Sequence, residues 1–162
     1  MIINFISSAA FPQSSLFVPL TRLESNNGLS SPNIRAIIQD KYGFMWFGTQ
    51  EGLSRYDGYK FINYNADAQD KKHYIISNDV YDLAIDSSGD YLWAITTYGG
   101  LSKIDIKTTN TLQLFPLNSI SKKSNSLWFI KICFADKYIF IATNEGIVAK
   151  FNTVTDSVEA VL

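Results

Sequence analysis

The side chains that most often carry catalysis or bind metals are scarce in this sequence. It contains one histidine, His73, and one cysteine, Cys133. A single histidine cannot build the multi-residue cluster that most zinc sites need, and a Ser-His-Asp triad would also need a serine on a strained elbow, which the sequence does not show. The acids are scattered rather than paired, as a lyase or glycosidase would need them. We therefore expect no enzyme, no metal site and no cofactor.

The remaining reactive positions have ordinary structural explanations. Cys133 lies between Ile132 and Phe134 in an apolar run, which favours a buried small hydrophobic residue over a nucleophile. Asp57-Gly58 could begin a calcium loop, but an EF-hand gathers several oxygen ligands in one stretch of about 12 residues. We expect Asp57 to cap a turn instead. The 14 basic and 15 acidic residues nearly cancel, so the chain has no long-range field that would collect nucleic acid or an anionic membrane.

The rest of the sequence is organised as an internal repeat. Three segments align: WFGTQEGLSRYD from Trp46, LWAITTYGGLSKID from Leu92 and FIATNEGIVAKFN from Phe140. Their leading aromatic residues, Trp46, Trp93 and Phe140, are 47 residues apart in both intervals. The glycines that we align in their second halves, Gly52, Gly100 and Gly146, are 48 and then 46 residues apart, which indicates a one-residue insertion in the middle copy. A fixed period of this length indicates a repeat architecture.

Each copy has the pattern of four short antiparallel strands. Apolar residues alternate or form short runs, and Gly, Asn and Asp interrupt them every few residues. The predicted strands are 34–39, 44–48, 53–56 and 60–64 in the first copy; 80–85, 91–95, 101–106 and 111–115 in the second; and 128–134, 138–142, 147–151 and 157–161 in the third. Four strands per repeat of this length make one propeller blade. The fold class is all-β, a partial β-propeller of three four-stranded blades at about 28–64, 75–115 and 125–162.

The positions of the aromatic residues and glycines within each repeat predict their structural roles. Trp46, Trp93 and Phe140 occupy the same second-strand position, so we expect them to pack between neighbouring blades rather than to stack on sugars. The glycines do not open a helix after a strand, as a phosphate-binding loop would, so they are turn residues. Gly43 is expected to supply the positive φ of the first turn.

The run GLSSPNIRAIIQDKYGFMWFGTQEGLSRYDGYKF, from Gly28 to Phe61, closely resembles the regulator-propeller repeat of hybrid two-component sensors. In that family a strand ending in D-x-x-G precedes W-[IF]-G-T-x-x-G-L-x-x-[YF]-D. The resemblance extends over nearly all of residues 16–162 and is weakest in the third copy. It implies the periplasmic sensor of a membrane histidine kinase, commonly one that senses oligosaccharides, which signals through a kinase domain that this chain lacks.

One face of such blades is expected to bind the ligand. It holds the loops before each first strand, at 26–33, 65–78 and 116–126, together with the turns between second and third strands. If a glycan binds, Tyr98 is the candidate stacking platform and Arg35, Gln50 and Asp82 are candidate hydrogen-bond partners, while Tyr81 and Asn144 complete the candidate ligand-binding set. A solvated rim that binds nothing is the competing interpretation, and a protein-protein interaction scaffold is the alternative function.

Two expectations concern the ends and the assembly. Residues 1–15 form an N-terminal segment whose first ten residues fit either a signal-peptide remnant or an ordinary N-terminus, and Leu16–Leu23 reads as a surplus strand. No apolar run is long enough for a membrane helix. Three blades do not close a ring, since propellers use about four to eight. We therefore expect missing sequence or self-association, either as a dimer of three plus three blades or by exchange of the strand Leu16–Leu23. The family resemblance implies a periplasmic location.

Overall fold

The computed structural model describes residues 22–116 and 128–161, which form three four-stranded antiparallel sheets. The strands of the first are β1 (Ile34–Gln39), β2 (Met45–Thr49), β3 (Gly52–Tyr56) and β4 (Phe61–Tyr64). The second holds β5 (Val80–Ile85), β6 (Tyr91–Thr96), β7 (Gly100–Asp105) and β8 (Thr111–Pro116). The third holds β9 (Phe129–Ala135), β10 (Tyr138–Thr143), β11 (Val148–Asn152) and β12 (Ser157–Val161). These residues contain no α-helix and two 3-10 turns, Ser25–Asn27 and Lys71–His73.

Each sheet is a blade whose strands follow chain order, and the first strands β1, β5 and β9 lie side by side. This is the arrangement of a propeller around its axis. The predicted all-β fold with three four-stranded blades is confirmed. Every predicted strand is present, with ends that differ by at most one residue, because alternating burial and turn chemistry are local properties of the sequence.

The first turn of blade one explains the D-x-x-G-x-x-W spacing. The Asp40 carboxylate accepts the backbone N–H of Tyr42 and Phe44 and the indole Nε1–H of Trp46, the last at 2.8 Å. Gly43 has a φ of 87°, as predicted. One buried carboxylate therefore closes the hairpin and orients the tryptophan that packs on blade two.

Blade two has one more residue in this turn, and the indole loses its partner. The Asp86 carboxylate accepts the N–H of Asp90 and Tyr91 and the hydroxyl of Ser88. The Nε1–H of Trp93 is buried and has no hydrogen-bond partner. Burial alone therefore holds Trp93, whereas burial and a hydrogen bond hold Trp46.

Two apolar cores lie between the three blades. In the first, Trp46, Leu53 and Tyr64 pack on residues of blade two that include Val80 and Leu92. In the second, residues of blade two that include Trp93 and Phe115 pack on Phe129, Ile141 and Phe151 of blade three. Both tryptophans are 0% exposed, as predicted. Stability therefore comes from neighbouring blades, as in other repeat proteins.

Two burial predictions for blade three are wrong. Cys133 is exposed, and Phe140, directly opposite it on β10, is only partly buried. Strand alternation places both on the face of blade three that points away from blade two. Among the described residues no further blade covers that face. The apolar residues there are therefore not buried, although the sequence pattern predicted that they would be.

The alignment of Gly146 with Gly52 and Gly100 is also wrong. The Thr49, Thr96 and Thr143 hydroxyls donate to the carbonyls of Gly52, Gly100 and Ile147, which makes these three positions equivalent. Gly52 and Gly100 have a φ of 134° and 133°, whereas Gly146 lies inside the turn with a φ of 77°. The second turn is thus one residue longer in blades two and three than in blade one.

The N-terminal segment 1–15 lies outside the described residues, and so does 16–21 of the surplus strand Leu16–Leu23. The described part of that predicted strand, Arg22 and Leu23, is not in a strand. Asp57 caps its turn as predicted, accepting the N–H of Tyr59 and Lys60.

Candidate functional site

On one face of the blades the same backbone hydrogen bond recurs in all three blades, and we call it the backbone lock. In each blade the carbonyl of the residue just before the first strand faces the second turn of the same blade. The carbonyls of Asn33, Asp79 and Trp128 accept the N–H of Gln50, Thr97 and Asn144 at 3.1, 3.0 and 3.1 Å. We call these six residues and the rest of the second turns the rim. The backbone of the rim is repeated, while its side chains differ from blade to blade.

At the junction of blades one and two the rim carries a charged and aromatic group. The Arg35 Nε lies 3.0 Å from Asp79 Oδ1, and its guanidinium lies over the Tyr81 ring, 4.9 Å from the centroid. The Thr97 hydroxyl donates to Asp79 Oδ2. The predicted residues Arg35 and Tyr81 are therefore brought together, and Asp79 holds Arg35 in place.

Gln50 lies on the same rim but in a separate contact. Its side-chain Oε1 accepts the Asn33 Nδ2–H at 3.1 Å, and both residues are exposed. An exposed amide pair of this kind offers a further donor and acceptor to a polyhydroxyl ligand.

Asp82 is the predicted site residue whose surroundings fit a ligand least. It is 8% exposed, and its Oδ2 accepts the backbone N–H of Ile132 at 3.0 Å and lies 2.9 Å from the Lys131 Nζ. Both partners belong to β9 of blade three. The carboxylate thus joins two blades, and a ligand would have to displace these partners to use it.

The second turn of blade two projects an aromatic ring from the rim. Tyr98 is 65% exposed, and its ring meets the edge of the Trp128 ring at a centroid distance of 5.9 Å. The Trp128 N–H donates to the Asn144 Oδ1 at 2.9 Å. Tyr98 and Asn144, two predicted residues far apart in sequence, therefore meet around Trp128.

Sequence reasoning missed Trp128 as a rim residue because it placed that residue in a strand. The signal was its position, since Trp128 stands just before the first strand of its copy, where the other copies have the polar Asn33 and Asp79. A residue at that position belongs to the loop rather than to the core.

Other candidate groups lie away from the rim. His73 pairs with Asp70, at 3.1 Å from Nδ1 to Oδ2, and its ring packs on Tyr64. A groove of about 660 Å³ runs along the outer strand of blade two, lined by Ala68, Gln69, Lys71, Tyr74 and residues 111–114. In residues 22–116 and 128–161 no group of three or more His, Cys, Asp or Glu could hold a metal ion. No helix of these residues is long and apolar enough to cross a bilayer.

Comparison with known proteins agrees with this architecture. A family model described as "Two component regulator propeller" matches residues 28–51. Histidine kinase P4 of Formosa agariphila is 33% identical over 70 residues, which are 43% of this chain and 5% of that protein.

Two solved structures share the fold. The extracellular domain of the putative one component system BT4673 from B. thetaiotaomicron is 22% identical, with a TM-score of 0.58, over 76% of this chain and 17% of that one. The RRP9 WD40 repeats are 13% identical, with a TM-score of 0.63, over 80% of this chain and 38% of that one. This chain spans 5%, 17% and 38% of the length of these three proteins.

Three stacked four-stranded sheets and these likenesses define the chain as a segment of β-propeller. Residues Gly28 to Glu51 of its first repeat match the two component regulator propeller model, so the resemblance drawn from the D-x-x-G and W-F-G-T motifs is confirmed. The matched residues contain Asp40 and Trp46, which close the first hairpin of the blade and pack against blade two.

Proposed function

We propose that this chain is a ligand-sensing part of the extracytoplasmic, periplasmic propeller of a two-component sensor, and that it binds an oligosaccharide at the rim. One observation carries the proposal: a backbone lock repeated in three blades presents different polar and aromatic side chains at equivalent positions. A rigid frame with variable exposed groups is the usual design of a recognition surface.

The chemistry of the rim suits a sugar. The exposed Tyr98 ring next to Trp128 offers an apolar face. Asn144 beside Trp128, together with Arg35 and Gln50 of blade one, offers hydrogen bonds. The residues perform recognition and no catalysis. Binding would favour one arrangement of propellers in a larger assembly and so bias a kinase domain outside this chain.

The test is a titration of the folded chain with a panel of soluble oligosaccharides from α-glucan, β-glucan, xylan and pectin, followed by calorimetry. Replacing Tyr98 or Arg35 by alanine should weaken the best binder at least tenfold. Tyr59→Ala is the matched control, because Tyr59 is 96% exposed in a turn at the opposite end of the strands and should bind as the wild type does. Unchanged affinity in both rim variants would refute the rim assignment.

A protein-interaction scaffold is the second candidate function. The observation that favours it is the groove along β8, beside which Leu112 is 52% exposed. A scaffold would bind through such an apolar surface. A Leu112→Ser substitution should then weaken partner capture, whereas the sugar-binding function should be insensitive to it.

We propose self-association because blades one and three expose apolar side chains. Ile37 of β1 is 56% exposed, and Phe140 and Cys133 lie on the uncovered face of blade three. Apolar surface of this kind is usually covered by a partner. Light scattering should show a dimer at micromolar concentration, and a monomer that persists at high concentration would contradict this proposal.

A further inference from the structure

Every blade places a basic residue on its third strand, directly opposite the aromatic residue of its second strand. The pairs are Arg55 with Trp46, Lys103 with Trp93 and Lys150 with Phe140. In each blade the cation also lies over an aromatic ring that is two residues before the second-strand aromatic: Phe44 at 3.7 Å, Tyr91 at 4.8 Å and Tyr138 at 3.7 Å from the centroid. We call these residues the third-strand cations.

Two of the three third-strand cations have a carboxylate partner. The Lys103 Nζ lies 3.5 Å from Asp156 Oδ1, and the Lys150 Nζ lies 3.6 Å from Glu159 Oε2. Asp156 belongs to the next blade along the chain, so its ion pair crosses the seam between blades two and three.

Arg55 is the exception. It is 8% exposed, its Nε is completely buried without a hydrogen-bond partner, and no carboxylate of residues 22–116 or 128–161 lies within ion-pair distance. Every Asp and Glu of the sequence falls in those described ranges, so the chain has no further acidic side chain to offer. A buried positive charge without an opposite charge beside it is unfavourable in a folded protein.

The missing partner can be traced to one position in a turn. Asp156 stands four residues after Asn152, at the end of the turn between the third and fourth strands of blade three, with a φ of 51°. The equivalent residue of blade two is Thr109, four residues after Asp105, with a φ of 62°. The Thr109 carbonyl accepts the Tyr64 hydroxyl of blade one at 2.8 Å, which places this turn at the seam beside blade one.

Two carboxylates of blade one, those of Asp40 and Asp57, accept hydrogen bonds within their own turns. Asp40 accepts two backbone N–H groups and the Trp46 indole. Asp57 accepts the N–H of Lys60 and Tyr59, and these hydrogen bonds are the main cause of its lowered pKa, to which the attraction of Arg55 adds least.

We propose that Arg55 is a binding site for the carboxylate of a ligand, at the seam between blades one and two, in the place that Asp156 fills at the next seam. A planar guanidinium fork matches a carboxylate. The Phe44 ring covers one face of the fork, so the carboxylate approaches in its plane. This site lies at the opposite end of the strands from the rim and does not depend on the function proposed for the rim.

Acetate is the smallest probe of this site. We expect acetate, but not chloride at the same ionic strength, to shift the Nε–Hε resonance of Arg55 in a saturable way, with a dissociation constant in roughly the millimolar range. Because Arg55→Met removes that resonance, this variant is followed at the indole Nε1–H of Trp46, whose ring centroid lies 5.7 Å from the Arg55 guanidinium. Acetate should shift this signal in the wild type and leave it unchanged in Arg55→Met. Lys103→Met should leave the acetate response unchanged, because Lys103 already has its own carboxylate.

A second pair of variants keeps the test decisive if Arg55→Met fails to fold. Asp and Asn both tolerate a positive φ, so Thr109→Asp and Thr109→Asn differ only in charge at this position. Thr109→Asp should supply the missing carboxylate, abolish the acetate response and melt at a higher temperature than Thr109→Asn, which should keep the response. An acetate response that survives in Thr109→Asp, or that is absent from the wild type, would overturn the proposal.

Discussion

The two buried tryptophans allow a matched test of how the Asp turn stabilises a blade. Trp46 and Trp93 occupy equivalent positions and are both 0% exposed, but only the indole of Trp46 donates to a carboxylate. Replacing either by phenylalanine removes the same indole volume, so the packing cost largely cancels in a comparison. The hydrogen bond does not cancel.

The expected difference in the free energy of unfolding follows from the surroundings of the two indole N–H groups. Trp46→Phe loses a hydrogen bond to a charged group, worth about 1.5–3 kcal/mol, and leaves Asp40, which is 5% exposed, short of a donor. Trp93→Phe removes a buried N–H without a partner, which returns about 1–3 kcal/mol. Trp46→Phe should therefore lower the free energy of unfolding by about 3 kcal/mol more than Trp93→Phe does.

The assay is urea unfolding of each variant followed by far-UV circular dichroism. A double-mutant cycle of Asp40→Asn with Trp46→Phe should give a coupling of about 2 kcal/mol, and the matching cycle of Asp86→Asn with Trp93→Phe should give a coupling near zero. If the two tryptophan variants lose equal stability, the Asp turn does not orient its indole in the way described here.

Three further outcomes are expected. Gly52→Ala should cost about 3 kcal/mol, because a Cβ would lie 2.6 Å from a backbone carbonyl at a φ of 134°, whereas Gly58→Ala, with open space around it, should cost about 1 kcal/mol in the same unfolding assay. The Lys41 ammonium holds the pKa of Asp90 below its usual 3.8, so this link between blades stabilises the fold above that pH and is lost as the pH falls through the lowered pKa; Asp90→Asn should flatten that part of a melting-temperature profile. Cys133 should react with a thiol reagent in the native protein, and protection of Cys133 at high protein concentration would show that a partner covers blade three.

Local chemistry was enough to predict the blades. Alternating burial placed the strands, and Asp40 with Gly43 marked the first hairpin because a carboxylate that caps backbone N–H groups and a residue with positive φ act within a few residues. The same locality made Trp46 and Trp93 recognisable as core residues. These properties need no knowledge of the neighbouring blades.

The candidate site was predicted only in part, because its members meet across blades. Arg35 lies over the Tyr81 ring, and Tyr98 and Asn144 both contact Trp128. Asp82 instead binds the N–H of a strand 50 residues further along the chain, a contact that no local pattern encodes.

The sequence by itself determined which segments are strands, where each hairpin turns and that the repeats stack as blades, because these depend on neighbours within about one blade. Only the tertiary structure decided that Cys133 is exposed and that Arg55 is buried without a carboxylate. Burial and charge pairing depend on what the adjacent blade presents at a given position. For Arg55 that position is Thr109 of blade two, more than a full repeat away in sequence. At the next seam the equivalent position is Asp156 of blade three, which pairs with Lys103.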